Sequence, residues 1–304
     1  MMNTSQKLIA LLSGAALLSV STLAAQTATT DPVGYVTADV ATGGSLLSNP
    51  LLGDIQYTGV AGVVAGVIVD LSGLPASVST PSYVHVTSGS AAGATSSIAS
   101  SDATSVTLEG AITGFVAGDS LRIVEHFTLA DLTAASSSSI ADESTVTVYN
   151  SDATVSSYVT YTNIWYNTDG FALSDDVIVF PGEGVVLGLQ SPTTFVFTGN
   201  VNTEAVNATA VAGGINIIGT SNPSAPLGVN SLGSALAVLQ DESTITVYSD
   251  DGALTPTASY VVYSGIWYNT DGFAVVDVSV AAPSAVVVSP QATASVTMPA
   301  AYTN

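Results

Sequence analysis

Two copies of one aromatic motif hold the residues best suited to bind a ligand. Trp165 begins the first copy, Trp-Tyr-Asn-Thr-Asp-Gly-Phe, and Trp267 begins the second. Adjacent Trp and Tyr rings can stack on sugar rings, while Asn and Asp side chains exchange hydrogen bonds with hydroxyl groups. The motif therefore predicts a platform for neutral glycans. Its expected members are Trp165, Tyr166, Asn167, Asp169, Trp267, Tyr268, Asn269 and Asp271.

The same motif is more typical of a β-hairpin with a structural tryptophan. Asn-Thr-Asp-Gly favours a tight turn, because Gly takes positive φ at no steric cost and Asn and Asp hydrogen-bond their own backbone. Side chains of a strand alternate between faces, so Trp165 and Tyr166 cannot both face the core. At least one ring of each pair is expected to be exposed, which leaves both interpretations open.

Two pairs of aspartates are candidates for a calcium site. Asp175 and Asp176 form one pair, and Asp250 and Asp251 form the other. Calcium takes six to eight oxygen ligands, for which carboxylates are well suited. Neither pair lies in the Asp-x-Asp-x-Asp-Gly spacing of a dedicated calcium loop. The alternative is that these carboxylates are solvated turn residues.

One histidine raises the question of acid–base catalysis. His126 follows Glu125 directly, and the chain is rich in serine. A serine nucleophile would need a base and an orienting acid within hydrogen-bond reach. No Gly-x-Ser-x-Gly elbow occurs, and neighbouring residues of a strand point to opposite faces. We therefore expect a protein without catalytic residues, enzymatic activity or a resident cofactor, calcium aside.

The charge composition narrows the classes of partner. The 304 residues include 23 acids, no cysteine and two bases, Lys7 and Arg122, with a formal net charge of −21. Such a chain cannot neutralise phosphates, which excludes nucleic-acid binding. Disulfides and thiolate metal sites are excluded too. Apolar burial and backbone hydrogen bonds must supply the stability, and self-repulsion opposes association unless salt or cations screen it.

The N-terminus is typical of a secretory signal peptide. Lys7 precedes an uncharged, mostly apolar run over residues 8–23, and Ala24 and Ala25 offer a small-residue cleavage site. We assign residues 1–25 to the signal peptide; the alternative is a retained membrane anchor. The run is short and interrupted by serines, and no later stretch is long and apolar enough to span a bilayer. The mature chain is expected to be secreted, extracellular or at the cell surface, without a transmembrane segment.

An internal repeat sets the expected domain organisation. Residues 142–149 recur as 241–248, and residues 164–172 recur as 266–274 with nine identities. Repetition of this kind indicates duplicated structural units. We predict two homologous units, residues 26–202 and residues 203–304. The first is longer because residues 55–129 form an inserted small β subdomain with its own strand pattern.

The elements that carry these residues are predicted to be strands. Val, Thr, Ile and Tyr alternate with polar residues, and Gly, Pro, Asn and Asp interrupt the runs every 8–12 residues. The fold class is therefore all-β, with two β-sandwich or barrel-like units. At most one short helix is expected in each unit, over residues 127–135 and residues 231–239.

Three short motifs stand out along the first part of the chain: Asp-Pro-Val-Gly-Tyr-Val at residues 31–36, Ser-Asn-Pro-Leu at residues 48–51 and Thr-Leu-Ala-Asp-Leu at residues 128–132. In these motifs the chain resembles an uncharacterised family of secreted verrucomicrobial-type bacterial proteins. A Trp strand and a Pro-Gly-Glu-Gly turn at residues 181–184 continue the resemblance. Tyr166 and Tyr268 depart from it, since relatives often have Arg or Lys after the tryptophan. The resemblance implies export and β architecture, and it implies no activity.

These observations favour a secreted, non-enzymatic β-repeat protein of the cell surface or extracellular matrix. The expected role is structural and self-associating, as a filament or surface-layer subunit, because exposed strand edges can pair between copies. The partner would then be a second copy of the chain. The alternative is a neutral-glycan-binding module that uses the two Trp-Tyr pairs.

Overall fold

The structure is a computed structural model of the chain, and it confirms the all-β fold class. It describes residues 32–75, 78–150, 152–220, 223, 235–275 and 282–300. The predicted signal peptide, residues 1–25, lies outside the described residues. No helix in the described ranges is long and apolar enough to cross a membrane.

The first part of the chain forms two sheets that enclose a core. One sheet has the order β1-β16-β3, and the other has the order β13-β12-β11-β15-β2. Alternating side chains of these strands bury Trp165, Phe195, Phe197 and Leu187 between them. The strands are β1 (Val33–Val40), β2 (Gly43–Ser48), β3 (Leu51–Leu52), β11 (Thr145–Tyr149), β12 (Val155–Tyr161), β13 (Ile164–Asn167), β15 (Gly184–Leu189) and β16 (Thr193–Val201).

A closed barrel interrupts this part of the chain between β3 and β11. Its six strands follow the order β4-β5-β8-β7-β6-β9, and β9 returns to pair with β4. The barrel has a core of its own, which includes Val69, Val84 and Ile123. The strands are β4 (Ile55–Ala65), β5 (Ile68–Leu71), β6 (Ser82–Val86), β7 (Thr95–Ser101), β8 (Ser105–Leu108) and β9 (Ser120–Glu125).

A capped helix follows the barrel. After β10 (Phe127–Thr128), the helix α1 spans Leu129–Ala135, and β14 (Ile178–Val179) pairs with β10. The N-cap Thr128 accepts from the backbone of Asp131, whose carboxylate accepts from the Thr128 backbone in return. This reciprocal capping satisfies two N–H groups that a helix end leaves free. The helix predicted over residues 127–135 is thus present, two residues shorter.

The C-terminal part of the chain forms a second pair of sheets. One has the order β17-β23 and the other β18-β22-β19-β20-β21, around a core that contains Trp267 and Leu236. The predicted helix at residues 231–239 lies partly outside the described residues; positions 235 and 236 are helical. The strands are β17 (Val206–Ala210), β18 (Asn216–Gly219), β19 (Thr244–Tyr248), β20 (Pro256–Tyr263), β21 (Ile266–Asn269), β22 (Ala285–Ser289) and β23 (Ala294–Met298).

The two five-stranded sheets have the same strand order and touch through equivalent positions. Ser48 ends β2 opposite the first residue of β15, and Gly219 ends β18 opposite the first residue of β22. The amide of Ser48 donates to the carbonyl of Pro283 over 2.8 Å, and the amide of Gly219 donates to the carbonyl of Gly182 over 3.0 Å. Pro283 and Gly182 each lie two positions before their strand. The contact is therefore reciprocal, as in a twofold dimer.

Apolar side chains and a close backbone approach complete this junction. Leu46, Ile217 and Ala285 are buried there, between the sheet faces that point away from the two tryptophans. A Cβ atom added at Gly219 would lie 2.1 Å from the Cβ atom of Ser48. Any side chain at position 219 would therefore force the two sheets apart.

Candidate functional site

Both tryptophans of the repeated motif lie inside the protein. Trp165 has no exposed surface and Trp267 has 4%. The indole Nε1 of Trp165 donates to Thr133 Oγ1 in α1 over 2.8 Å, so its polar group is satisfied internally. Neither indole is therefore available to stack on a sugar, and the tryptophan half of the predicted platform is not formed.

The tyrosine that follows each tryptophan lies on the opposite sheet face, among other aromatic rings. Tyr166 of β13 meets Tyr161 of β12 and Phe171 of the following turn. The ring centroids are 6.5 Å apart for Tyr161–Tyr166, 6.1 Å for Tyr161–Phe171 and 6.4 Å for Tyr166–Phe171. These three rings are named the first triad.

An equivalent cluster occurs in the C-terminal part of the chain. Tyr263, Tyr268 and Phe273 form the second triad, with centroid distances between 6.2 and 6.3 Å. The Phe171 and Tyr161 rings are inclined at 28°, and the Phe273 and Tyr263 rings at 29°. The same arrangement is thus built twice.

A five-residue turn presents the phenylalanine of each triad to solvent. Phe171 is 59% exposed and Phe273 is 60% exposed. Both adopt a left-handed backbone, with φ of 56° and 54°, although bulky residues avoid this region. The amide of Phe171 donates to the Asn167 carbonyl over 3.0 Å, and Phe273 donates to Asn269 over the same distance. The turn therefore holds an apolar ring outward in a strained conformation.

The predicted polar members of the site serve the turn itself. Asn167 Oδ1 accepts from the amide of Asp169 over 2.6 Å, and Asn269 Oδ1 accepts from the amide of Asp271 over 2.5 Å. Asp169 and Asp271 are exposed at the tips of the turns. The asparagines therefore fix the loop, while the aspartates remain accessible beside the triads.

A second pair of acids lies next to the triads. Asp142 Oδ1 accepts from the amide of Thr162, directly after Tyr161, over 2.7 Å. Asp241 Oδ1 accepts from the amide of Ser264, directly after Tyr263, over 2.6 Å. Both aspartates are exposed. Each triad is therefore flanked by carboxylates.

The aspartates predicted as calcium ligands are not part of the triads. Three of the four already accept hydrogen bonds from other residues of the protein. Asp175 Oδ1 accepts from the amide of Trp165 over 2.8 Å, which closes the outer edge of β13. Asp251 Oδ1 accepts from Ser249 Oγ and from the Ala253 amide. Asp176 is exposed, and Asp250 Oδ2 accepts from Ser284 Oγ over 3.3 Å. In the described ranges no three acidic or histidine side chains converge on a common point.

His126 contacts a serine that the sequence analysis did not single out. Its Nε2 atom is 3.1 Å from Ser97 Oγ of β7. Both side chains are buried, and burial lowers the pKa of His126 to about 4. Among the described residues its Nδ1 atom has no hydrogen-bond partner, and Glu125 accepts from Gln56 and Ser79 instead. The pair therefore lacks the orienting acid that a serine nucleophile requires.

The one arginine of the sequence joins the barrel to the segment that links the two halves. Arg122 Nη2 donates to Thr203 Oγ1 over 3.1 Å and lies 3.9 Å from Glu204 Oε1. His85, opposite Arg122 across β6 and β9, contacts the Ala205 carbonyl through Nε2 over 2.8 Å. Burial is the main cause that lowers the pKa of His85. These residues hold the barrel against residues 203–205.

Comparison with protein-family models, curated proteins and solved structures finds no match. The function proposed for this site therefore rests on its geometry alone.

Four rings of the triads were missed as site residues in the sequence. Tyr161, Phe171, Tyr263 and Phe273 are brought to Tyr166 and Tyr268 by pairing with the neighbouring strand and by the turn. Both phenylalanines belong to the repeated motif, and each extra tyrosine stands three residues before its motif's isoleucine. The pairing register of the strands decides which side chains are exposed on one face of the sheet. A single sequence does not contain that information.

Proposed function

We propose that the chain is a secreted, non-enzymatic β-repeat protein of the cell surface or extracellular matrix that associates with copies of itself. In this proposal its two halves are duplicated units, and residues 55–129 are an insertion in the first. The equal strand order of the two five-stranded sheets supports the duplication. The family resemblance and the signal peptide of residues 1–25 support export.

The observation that carries self-association is a difference between two equivalent strand edges. β17 contacts the barrel at its outer edge, because the amide of Asn207 donates to the carbonyl of Gly93 over 2.8 Å. The corresponding strand β1 pairs with β16 on one side. On its other side, the described residues offer it no backbone hydrogen bond. Among the described residues, β1 therefore has an open edge, whereas its counterpart β17 has one backbone hydrogen bond to the barrel.

The open edge has the properties of a pairing surface. β1 is eight residues long and antiparallel to β16 throughout. Pro32 accepts from the amide of Val201, so the alternation directs the amides at positions 33, 35, 37 and 39 away from β16. Val33 and Tyr35 are 78% and 75% exposed. A long edge with unpaired amides and apolar side chains is a template for strand addition.

A second copy of the chain is the proposed occupant. Two β1 edges can pair antiparallel about a twofold axis, which makes a closed dimer. Growth into a filament or surface layer then needs a further contact. Because both copies carry an excess of acids, association should strengthen when salt or calcium screens the repulsion.

Sedimentation of the mature chain tests this proposal. In about 0.5 M NaCl with millimolar calcium, where repulsion is screened, we expect concentration-dependent dimers. Thr37→Pro should leave monomers, since proline blocks an edge without removing a ladder bond to β16. Val33→Ser with Tyr35→Ser should weaken the dimer, whereas Val63→Ser on the barrel serves as the control. A wild-type chain that stays monomeric at every concentration, or Thr37→Pro dimers of wild-type strength, would refute the proposal.

A further inference from the structure

We propose that the two triads are equivalent binding sites for a neutral polysaccharide, which each contacts through the apolar face of a pyranose ring. This inference concerns a different surface from β1, and it replaces the buried tryptophans of the sequence-based hypothesis with Tyr161, Tyr166 and Phe171. The second site consists of Tyr263, Tyr268 and Phe273.

The ring chemistry fits a sugar face. An aromatic ring has a negative face, which attracts the weakly positive C–H groups that line one side of a pyranose. Three rings at centroid distances near 6 Å give a continuous apolar surface. Asp142 and Asp169, exposed beside the first triad, can accept hydrogen bonds from sugar hydroxyls. Aromatic surface with polar groups at its rim is the usual composition of a carbohydrate site.

The charge of the chain selects neutral over anionic saccharides. Of the two bases, Lys7 lies in the predicted signal peptide. The other, Arg122, contacts Thr203 and Glu204 at the barrel. Each triad is flanked by carboxylates instead. An anionic polymer such as alginate would be repelled by this surface. A neutral polymer experiences no such repulsion.

Backbone strain indicates that the exposed phenylalanines are kept for a reason other than the turn. A bulky residue in the left-handed region is strained by the contact of its Cβ atom with the following carbonyl oxygen, whereas Gly avoids this strain and Asn tolerates it better. Both turns nonetheless place Phe at this position, with nearly equal φ and nearly equal exposure. Strain that persists at an exposed position motivates a functional hypothesis. The same strained conformation is kept in both copies of the nine-residue motif.

A matched set of variants separates binding from folding. Phe171→Asn and Phe273→Asn remove the rings while relieving the backbone strain, so these variants should remain folded. Each is combined with the neighbouring Tyr161→Ala or Tyr263→Ala to disable one triad, and all four changes together disable both. Val63→Ser, on the barrel surface, is the control for loss of an exposed apolar group.

The experiment is co-sedimentation of the purified mature chain with insoluble cellulose, chitin and starch, with affinity gels of alginate as the anionic comparison. We expect retention on at least one neutral polymer and none on alginate. Loss of one triad should weaken binding about 10-fold or more, because two sites on one chain bind a polymer with avidity. The two single-triad variants should be equally affected, and the fourfold variant should not bind.

Two results would overturn the inference. The first is a wild-type chain retained by none of the neutral polymers. The second is a folded fourfold variant, checked by circular dichroism, that binds as well as wild type. The dimer test is independent, since Thr37→Pro should bind polysaccharide through both triads within one chain. If the triad variants instead abolish dimers and leave retention unchanged, the triads are protein contacts and the inference fails.

Discussion

The two halves of the molecule share one design and differ at one edge. Both carry a buried tryptophan, an aromatic triad with an exposed phenylalanine and a five-stranded sheet of the same order. The barrel lies between β3 and β11 of the first half, yet it forms a backbone hydrogen bond with β17 of the second half at Asn207. Among the described residues, the outer edge of β1 in the first half has no equivalent bond. The comparison teaches that sheets of equal strand order can differ in how their outer edges are contacted.

The largest expected effect comes from the two tryptophans. Trp165→Ala should lower the free energy of unfolding by about 3–5 kcal/mol, the usual cost of removing a fully buried large ring. Trp267→Ala should cost slightly less, because Trp267 is 4% exposed whereas Trp165 has no exposed surface. Urea unfolding of both variants measures the difference. Equal losses would show that the two cores are energetically equivalent despite this difference in exposure.

The reciprocal junction offers the next test. Gly219→Ala should destabilise the chain by about 1–3 kcal/mol, because the new methyl group overlaps Ser48 and overpacking is costly. Gly110→Ala is the matched control, since a Cβ atom there meets nothing closer than 3.9 Å. Urea unfolding compares the two. A Gly219→Ala chain as stable as the control would mean that the junction accommodates the added methyl group at little cost in stability.

The pH dependence of the free energy of unfolding tests Glu183 and His126, whose titrations change the stability in opposite directions. Burial raises the pKa of Glu183, beside the junction, to about 7, and burial lowers the pKa of His126 to about 4. Folded Glu183 binds a proton more tightly than the unfolded chain, so its contribution to stability is lost as pH rises from about 4.5 to 7. Folded His126 binds it less tightly, so stability is lost as pH falls from about 6.5 to 4.

Glu183→Gln should therefore remove the effect that offsets the titration of His126. The wild-type stability is expected to change little between pH 4.5 and 6.5, where the two effects offset one another. The variant should become steadily more stable over that window as pH rises. Unfolding curves at a series of pH values check this, with exposed Glu109→Gln as the control. A variant with the wild-type profile would contradict the role assigned to Glu183.

The smallest expected effect sharpens the comparison of the two turns. Phe171→Asn should stabilise the chain by about 0.5–1 kcal/mol, since strain relief of 1–2 kcal/mol is partly offset by lost ring contacts. Phe273→Asn should give the same gain, because the φ angles and centroid distances match. Thermal unfolding measures both. A loss of stability in either turn would assign its ring a structural purpose.

Local pattern predicted the elements, and long-range pairing decided the site. Strand alternation correctly placed Trp165 and Tyr166 on opposite faces, and composition predicted the all-β class. The β content of residues 55–129 was expected from its strand pattern, but closure of a barrel depends on β9 meeting β4 across the whole segment. The reciprocal junction was likewise out of reach, because Ser48 and Pro283 are 235 residues apart. Which ring of the motif is exposed follows only once those pairings are known.

The reciprocal junction has a consequence for behaviour on dilution. A contact of this kind between separate subunits would dissociate as the protein spreads into a large volume. Here one chain carries both sides, so the local concentration of each half around the other stays fixed. The pair of triads is therefore preserved as a unit at any dilution. In the proposed exported protein, the covalent link would keep the two proposed binding sites together where a true dimer would dissociate.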